Sequence, residues 1–326
     1  AYVFERDHGG SEFWGQVAKI TASNAMEQAR FGWSVAIQGD TLAVGAPDHY
    51  SGEDGRGEVY VFGRDQGGAD AWGEIQILPR PPFLTAWYNH FGTSVDMDGD
   101  TAVIGGPNNR CGWAHIFRRS PGDPSSWERV TRVTADDDDS PWGDDFGFAS
   151  AISGDTVIVG APDDDFHDPY YTYYDVGSAY VFERDHGGVD NWGVVAQLNA
   201  NTNRFFGYSV GIDGDTAVIG GEGNCYWGVP PAHVFQRDHD GPDAWGHVTA
   251  LLPSDAEASI WRIRRVAVSG DTAVVGWFNH GELYIFERDH GGSDAWGEIA
   301  QIEVGRYEGG IAIDQDTLIA GGPSDD

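Results

Sequence analysis

Two acidic segments are the parts of this sequence best suited to bind a cation. They are a run of four aspartates and a later run of three: Asp136, Asp137, Asp138, Asp139, Asp163, Asp164 and Asp165. Calcium prefers carboxylate oxygens, and crowded carboxylates repel each other until a cation neutralises them. Calcium is therefore the one cofactor that the sequence suggests, at a weak site formed if the two runs converge. The alternative is a solvated acidic surface.

A second group of residues could bind a partner through aromatic stacking. Its members lie in the segments between apolar runs: Trp87, Tyr88, Tyr170, Tyr171, Tyr173, Tyr174, Tyr226, Trp227 and Trp277. Exposed aromatic rings stack on sugars and contact proteins. We expect a glycan or a protein as the partner, unless these rings fold down and only cover the core.

Three neighbouring arginines form the third candidate site. Arg262, Arg264 and Arg265 stand close together in a chain that has only 19 basic residues. They are expected to pair with nearby acids or to hold an anion in a central channel.

No residues point clearly to catalysis. The sequence has no Walker A loop, no HExxH and no CxxC motif. The histidines that recur do so at one position of a repeat, which indicates a role in a turn or in packing: His8, His186, His239 and His290. The sequence therefore favours a protein that is not an enzyme.

The charge of the chain excludes several partners. Asp and Glu number 52 against 19 Lys and Arg, a net charge of −33. Nucleic acid and anionic membrane surfaces would be repelled. No stretch approaches the roughly 18 apolar residues of a membrane span, so we expect no membrane insertion. The only lysine is Lys19, and an acid-rich, lysine-poor surface suits high salt, which predicts a marine or halophilic source.

The elements that must position these residues are set by a repeat with three landmarks. An apolar run ends at Phe4, Phe62, Phe117, Phe182, Phe235 and Phe286. A Trp follows each of them: Trp14, Trp72, Trp127, Trp192, Trp245 and Trp296. A turn ending in Asp-Thr then recurs at Asp40, Asp100, Asp155, Asp215, Asp271 and Asp316. Six copies in 326 residues give about 54 residues per repeat.

Each repeat predicts four short antiparallel strands. In the clearest copy they fall at 31–37, 41–44, 58–62 and 72–78, with a Gly39-Asp40 hairpin turn and a stop at Pro47. Four strands at this period are typical of a propeller blade. We predict an all-β, single-domain, six-bladed β-propeller over residues 1–326, with almost no helix. Its long, variable loops share one face, where binding is expected.

The signature of one repeat resembles a known family. Phe31-Gly32 followed by Gly45-Ala46-Pro47 is similar to the FG-GAP repeat of integrin α-subunit propellers and of bacterial and archaeal surface proteins. The resemblance implies a propeller at the cell surface or outside the cell. Two features depart from the integrin pattern, which usually has seven repeats and calcium loops between the first two strands. Here the repeats number six, and those loops are short Gly-Asp turns.

The two ends of the chain each hold half a repeat. Residues 1–20 supply only the third and fourth strands, and about 305–326 supply only the first and second. A half-blade would expose an apolar edge, which natural sheets avoid. We predict that the halves share one blade and close the ring within one chain. Pairing between two chains, giving swapped dimers or a filament, is the alternative.

Three functions compete at this point. The first is a non-enzymatic extracellular or cell-surface propeller for adhesion, assembly or scaffolding, which binds protein or glycan through its variable loop face. The second is a glycan-binding lectin that uses the aromatic loops. The third is an enzyme with a site at the channel mouth.

Overall fold

The structure is a computed structural model. It describes residues 1–8, 10, 14–50, 56–69, 71–78, 90–107, 112–135, 144–167, 172–173, 175–200, 204–222, 230–255, 263–277, 281–304, 310–315 and 317–321. In these ranges the secondary structure consists of strands, turns and bends, without helix, as predicted.

The described residues form strands β1 to β26. In chain order these are Tyr2–Arg6, Trp14–Lys19, Ser34–Gln38, Thr41–Tyr50, Arg56–Gly63, Gly73–Ile77, Ser94–Asp98, Thr101–Gly106, Trp113–Ser120, Asp123–Val133, Ala149–Ser153, Thr156–Ala161, Phe166–His167, Thr172–Tyr173, Ser178–Arg184, Trp192–Leu198, Arg204–Asp213, Thr216–Glu222, Ala232–Arg237, Trp245–Leu251, Ile263–Ser269, Thr272–Trp277, Glu282–Arg288, Trp296–Glu303, Ile311–Asp314 and Thr317–Ala320.

These strands build five four-stranded antiparallel sheets, which we number in chain order. Their strand orders are β3-β4-β5-β6, β7-β8-β9-β10, β11-β12-β15-β16, β17-β18-β19-β20 and β21-β22-β23-β24. Three further sheets have two strands each: the N-terminal half-sheet β1-β2, the C-terminal half-sheet β25-β26, and the small hairpin β13-β14. The prediction of repeated four-stranded sheets is confirmed, and the architecture is consistent with a propeller.

The core lies between consecutive sheets. The first strands of neighbouring sheets contact each other in order, from β3 through β7, β11, β17 and β21 to β25. One apolar cluster combines Val59 and Val61 of the first sheet with Ile104 and Phe117 of the second. Each sheet therefore buries its face on the next one, as blades do.

In the first three sheets the Phe-Gly pair forms a turn before the first strand, whereas in the fourth sheet it lies within β17. In the second sheet the Thr93 amide donates to the His90 carbonyl at 3.0 Å, and Gly92 between them has a φ of 91°. That positive φ is the conformation that a type II turn requires at its third residue, and only glycine adopts it without strain. The same glycine donates its amide to the Gly105 carbonyl at 2.9 Å, which joins the two halves of the signature.

The glycine of the Gly-Ala-Pro segment makes room for the next sheet. A Cβ atom on Gly45 would lie 2.2 Å from the Gly92 carbonyl oxygen, and one on Gly105 would lie 1.9 Å from the Gly147 carbonyl oxygen. The Ser34 hydroxyl donates to the Gly92 carbonyl at 2.7 Å. The two signatures thus meet across the interface between sheets.

Two strand boundaries differ from the prediction. β3 begins at Ser34, after the Phe31-Gly32 turn. β4 continues through Pro47 to Tyr50, with its register shifted between Ala46 and Tyr50. An irregular register tolerates proline because no ladder hydrogen bond is required there.

The predicted shared blade is not confirmed. β1 pairs with β2 and β25 pairs with β26, but these strands lie in separate sheets. Ring closure and the number of blades therefore remain a proposal.

Candidate functional site

The face that carries the tight hairpins, the hairpin face, is built from a recurring arginine contact. Arg184 Nε lies 3.1 Å from Asp155 Oδ1 in the first hairpin of its own sheet. Its Nη2 donates to Thr101 Oγ1 of the preceding sheet at 2.7 Å. Its guanidinium carbon lies 5.2 Å from the centre of the Trp192 ring, within cation–π range. One side chain thus joins two sheets and covers the landmark tryptophan.

The same arrangement recurs along the chain. The equivalent arginines, each paired with the hairpin aspartate of its own sheet, are Arg64, Arg119, Arg237 and Arg288. Sequence reasoning missed this role. An Arg stands two residues after every landmark Phe, and that spacing was the available signal.

Carboxylates of the first hairpins also bind between sheets. Asp98 Oδ2 accepts a hydrogen bond from the Gly154 amide, and Asp213 Oδ2 accepts one from the Gly270 amide, both at 2.6 Å. Asp96, which is half-buried, accepts from the Ile152 amide at 2.8 Å. Because these carboxylate oxygens accept hydrogen bonds from backbone amides of the next sheet, the aspartates of the first hairpins stabilise the contact between sheets.

The recurring histidine packs against a recurring glycine. A Cβ on Gly193 would lie 2.4 Å from the His186 carbonyl oxygen, and one on Gly297 would lie 2.0 Å from the His290 carbonyl oxygen. This close approach agrees with the packing role expected from the repetition.

The opposite face, the loop face, carries charge pairs that differ between sheets. In the first two sheets Asp48 lies between an arginine and a histidine. Its Oδ2 is 2.8 Å from Arg30 Nε, and its Oδ1 is 3.2 Å from His90 Nδ1. Arg30 and His90 both stand immediately before a Phe-Gly turn.

The corresponding place in the third sheet holds acids. Asp145 stands before its Phe-Gly turn and Asp163 occupies the position of Asp48. Burial first, and then the negative charges of Asp145, Asp175, Asp165 and Glu222, raise the pKa of Asp163 to about 7. Burial also raises the pKa of Asp145. This part of the loop face therefore holds carboxyl groups whose charged forms are disfavoured.

The two aspartates that follow Asp163 form hydrogen bonds within their own sheet and its loop. Asp164 is buried, and its Oδ2 accepts from the Tyr180 hydroxyl at 2.9 Å. Asp165 Oδ1 accepts from the Asp175 amide at 3.0 Å. Asp175 in turn pairs with Arg204 at 2.7 Å.

The predicted cation site is only partly described. Asp136 to Asp139 lie outside the described residues. Within the described ranges, no group of three or more His, Cys, Asp or Glu side chains is arranged to hold a metal ion. Asp163 to Asp165 lie together, but the Asp164 carboxylate is bound by Tyr180 and the Asp165 carboxylate by a backbone amide.

Most of the predicted aromatic site also lies outside the described residues. This applies to Trp87, Tyr88, Tyr170, Tyr171, Tyr174, Tyr226 and Trp227, and to the side chain of Tyr173 in β14.

The prediction that Trp277 is an exposed binding residue is wrong. It is fully buried, packs edge-on to Tyr284 at 5.1 Å, and donates its indole N–H to the Pro230 carbonyl. It occupies the last position of β22, so it closes the core of the fifth sheet and cannot stack on a ligand.

Three other aromatic residues lie on the loop face, where the first strands begin. Trp33 is 50% exposed, and the Arg30 guanidinium lies 4.9 Å from its ring centre. Phe148 and Tyr208 are half-buried, with ring centres 4.6 Å apart. Each follows a Phe-Gly pair directly, and that spacing could have identified them.

The arginine cluster is described only at Arg265. This residue is half-buried in β21 and stands opposite Gly276 of β22. Arg262 and the side chain of Arg264 lie outside the described residues. An anion site in the channel thus stays a prediction.

The described part of the chain has no helix of the length and apolarity needed to span a bilayer.

Comparison with known proteins supports the repeat assignment. The family model described as the FG-GAP repeat matches residues 14–62 and 127–182. No curated protein sequence matches the chain. Among solved structures, the chain is similar to the periplasmic gluconolactonase PpgL of Pseudomonas aeruginosa, with 15% sequence identity and a TM-score of 0.47. The match covers 93% of this chain and 92% of that one. Together with the Phe-Gly turns and Gly-Ala-Pro contacts described above, the family matches identify residues 14–62 and 127–182 as FG-GAP repeats.

Proposed function

We propose that the chain is a non-enzymatic extracellular or cell-surface module that binds a protein or glycan partner through its loop face. Adhesion, assembly or scaffolding is the role that such binding would serve. The proposal includes a marine or halophilic setting, which the net charge of −33 favours.

The difference between the two faces carries this proposal. On the hairpin face the same Arg, Asp and Thr side chains recur and bind one another, so their polar groups are used in holding sheets together. On the loop face equivalent positions differ: Asp48 has Arg30 and His90 beside it, whereas Asp163 faces other acids. Variation on a rigid scaffold is where binding residues usually lie.

The proposed scaffold is a six-bladed propeller. Five blades are the four-stranded sheets, and the sixth combines the N-terminal and C-terminal half-sheets. Each half-sheet supplies the strands that the other lacks. In the numbering of a repeat, β1-β2 corresponds to strands three and four, and β25-β26 corresponds to strands one and two.

Binding by immobilised chain to panels of extracellular proteins and glycans tests the proposal. The loop-face variant Trp33→Ala should weaken any binding that the unmodified chain shows. Val189→Ala is the control, because Val189 is 91% exposed in a hairpin between β15 and β16 on the other face. Binding that is lost in the control variant but kept in Trp33→Ala would contradict a loop-face site.

A lectin is the second candidate, favoured by Trp33, Phe148 and Tyr208. Partly exposed aromatic rings suit sugars, which stack on their faces. A glycan array separates the two functions: selective binding of glycans that Tyr208→Ala weakens supports a lectin, and uniform absence of glycan binding leaves a protein partner.

We also propose weak calcium binding by Asp136–Asp139 together with Asp163–Asp165. A divalent ion would relieve the repulsion between these acids. Calcium added to a low-calcium buffer should raise the melting temperature. An unchanged melting temperature would indicate that these acidic loops bind no calcium and are only a solvated surface.

A further inference from the structure

The outer half of the second sheet carries a group of basic and aromatic side chains. Trp113 and His115 lie on β9, and Arg129 and Arg132 lie on β10, the strand at the edge of the sheet. Arg132 stands opposite His115, and its guanidinium carbon lies 5.7 Å from the centre of the Trp113 ring. Both arginines are exposed, Trp113 is half-buried and His115 is 2% exposed. We call these four residues the basic cluster.

The basic cluster lies on the side of the second sheet that faces the first sheet. Arg129 stands opposite Phe117, which packs with Val59 of the first sheet. Opposed residues of an antiparallel pair share a face, and so do residues two apart on one strand. His115 and Arg132 therefore lie on the same face as Arg129.

The equivalent positions in other sheets hold acids. The residue opposite the landmark Phe is Glu74 in the first sheet and Glu298 in the fifth, but it is Arg129 in the second. The position of Trp113, two residues before the buried ring of the third strand, holds Glu58 in the first sheet. The second sheet thus reverses the charge of this surface.

In the first and fifth sheets these acids have partners supplied by the repeat. The Ser23 amide and hydroxyl donate to Glu74 at 2.9 and 2.6 Å, and those of Ser254 donate to Glu298 at 2.7 and 3.0 Å. The same place before the second sheet is occupied in the sequence by Pro81, which lies outside the described residues. Proline has neither a hydroxyl nor an amide hydrogen. The serine that binds this position in the other two sheets therefore has no counterpart for Arg129.

The buried residue of the cluster is next to positive rather than negative charge. Burial, and then the charges of Arg129 and Arg132, lower the pKa of His115 to about 3. Burial, and then a hydrogen bond to Glu58, raise the pKa of the equivalent Tyr60. His115 is therefore neutral at neutral pH, and within the described residues its buried Nδ1 has no hydrogen-bond partner. Buried polar atoms of native proteins are normally hydrogen-bonded, so this nitrogen marks a place where a ligand atom fits.

The described neighbours do not neutralise the two arginines. Within the described ranges neither Arg129 nor Arg132 forms an ion pair. Glu128 stands opposite Arg118, so it lies on the other face of the sheet. Across the interface, Gln76 of β6 is neutral, and its amide binds a backbone N–H and a carbonyl of β10 at 2.7 and 3.0 Å. The positive charge of the cluster is therefore available to an anion.

We infer that the basic cluster binds an oxyanion, the carboxylate or sulfate group of a small ligand. Guanidinium groups present planar pairs of N–H donors that match the oxygens of such groups. Trp113 orients Arg132 through its cation–π contact, and His115 offers a neutral ring nitrogen beside both arginines. The net charge of −33 repels long polyanions, so the ligand is small. The site goes beyond the loop-face function, because it lies on β9 and β10.

Isothermal titration calorimetry at constant ionic strength tests the inference with four probes: galacturonate, galactose 6-sulfate, inorganic sulfate and neutral galactose. We expect the three oxyanions to bind at millimolar concentrations and galactose not to bind. Equal affinity for inorganic sulfate and galactose 6-sulfate supports a site that recognises the oxyanion alone, and tighter binding of the sugar supports one that also contacts the sugar ring. Binding of galactose as tight as that of galacturonate, or no binding of any oxyanion, would overturn the inference.

Two matched variants locate the site. Arg129→Gln should weaken oxyanion binding by about tenfold or more, because it removes a charged hydrogen-bond donor. Arg118→Gln removes the same charge from the other face, where Arg118 binds Asp190 at 2.5 Å, and should leave the affinity unchanged. Arg129→Glu restores the residue that the first and fifth sheets fold with, and it should abolish binding. Equal affinity of Arg129→Gln and Arg118→Gln would overturn the inference.

The indole N–H signal of Trp113 in nuclear magnetic resonance spectra gives a local readout. The signal is assigned by its loss in Trp113→Phe. It should shift when galacturonate is added to the unmodified chain or to Arg118→Gln, but not when galacturonate is added to Arg129→Glu. A shift that persists in Arg129→Glu would overturn the assignment of the anion to this cluster. Trp33→Ala should bind the oxyanions normally, so failure of this site is distinguishable from failure of the loop-face function.

Discussion

At the scale of single residues, the ionic environment of a carboxylate depends on which residue stands before the neighbouring Phe-Gly turn. Asp48 lies next to Arg30 and His90, whose cationic forms attract its carboxylate. Asp163 occupies the same place in the third sheet but faces Asp145, and its pKa rises to about 7. The two aspartates occupy the same position of the repeat, but Asp48 faces basic side chains whereas Asp163 faces acidic ones.

Replacing Asp163 by Asn should remove part of the pH dependence of stability. Because the pKa of Asp163 is about 7 in the folded chain, against an ordinary aspartate value of 3.8, folding favours the protonated form. Its contribution is full below about pH 4 and is lost as the pH rises through about 7. Asp163→Asn should therefore exceed the unmodified chain by about 1 kcal/mol in unfolding free energy near pH 8, and not near pH 4.

Urea unfolding at both pH values provides the measurement. Glu303→Gln, at an exposed position at the end of β24, is the matched control and should change neither value. A variant that is less stable than the unmodified chain near pH 8 would show that Asp163 is paired there.

The glycines of the signature give a prediction that depends only on space. In Gly45→Ala the new Cβ would lie 2.2 Å from the Gly92 carbonyl oxygen, so the first two sheets must move apart. We expect a loss of about 2–4 kcal/mol in unfolding free energy. Gly211→Ala is the control, because its Cβ would meet nothing closer than 3.5 Å. Equal stability of the two variants in chemical denaturation would refute the close approach.

At the scale of elements, the second, third and fourth sheets are each joined to the previous one by an arginine as well as by apolar packing. Arg119 Nη2 donates to Thr41 at 2.8 Å, and Arg237 Nη2 donates to Thr156 at 2.7 Å. Each guanidinium also covers a Trp, and only a planar fork can make all these contacts together.

Arg184→Lys should therefore destabilise the chain although it keeps the charge. Lysine cannot bridge Thr101 and Asp155 while lying on Trp192, so we expect a loss of about 1–2 kcal/mol. Arg30→Lys is the control, since the Arg30 side chain is 56% exposed and bonds only at the surface. Thermal unfolding measures both, and an equal, small effect would indicate that the arginines do not join the sheets.

The sequence predicts these elements well where the signal depends only on residues that are close together in the chain. Gly39-Asp40 turns and the apolar strands around Phe62 are recognisable because turn chemistry and alternation act locally. The pattern places Phe31-Gly32 within a strand, since the turn becomes visible only with its bond to Gly45. Trp277 is predicted as an exposed aromatic, because its burial in the fifth sheet depends on contacts that are distant in sequence.

At the scale of the whole molecule, the acidic surface should make stability depend on salt. A net charge of −33 repels itself in the compact state, and ions screen that repulsion within about 10 Å at 0.1 M salt. We expect the melting temperature to rise steadily between about 0.1 and 2 M NaCl. A melting temperature that falls over this range would contradict a surface suited to high salt.

The central claim is that the two half-sheets complete one blade. A crystal structure of the 326-residue chain in high salt measures this most directly, because it locates the strand beside β1. We predict that β26 pairs antiparallel with β1 in one sheet, as β12 pairs with β15 in the third sheet, which would place Thr317 opposite Glu5. A β1 strand that pairs with a different element, or that stays unpaired while the chain is monomeric, would contradict the account.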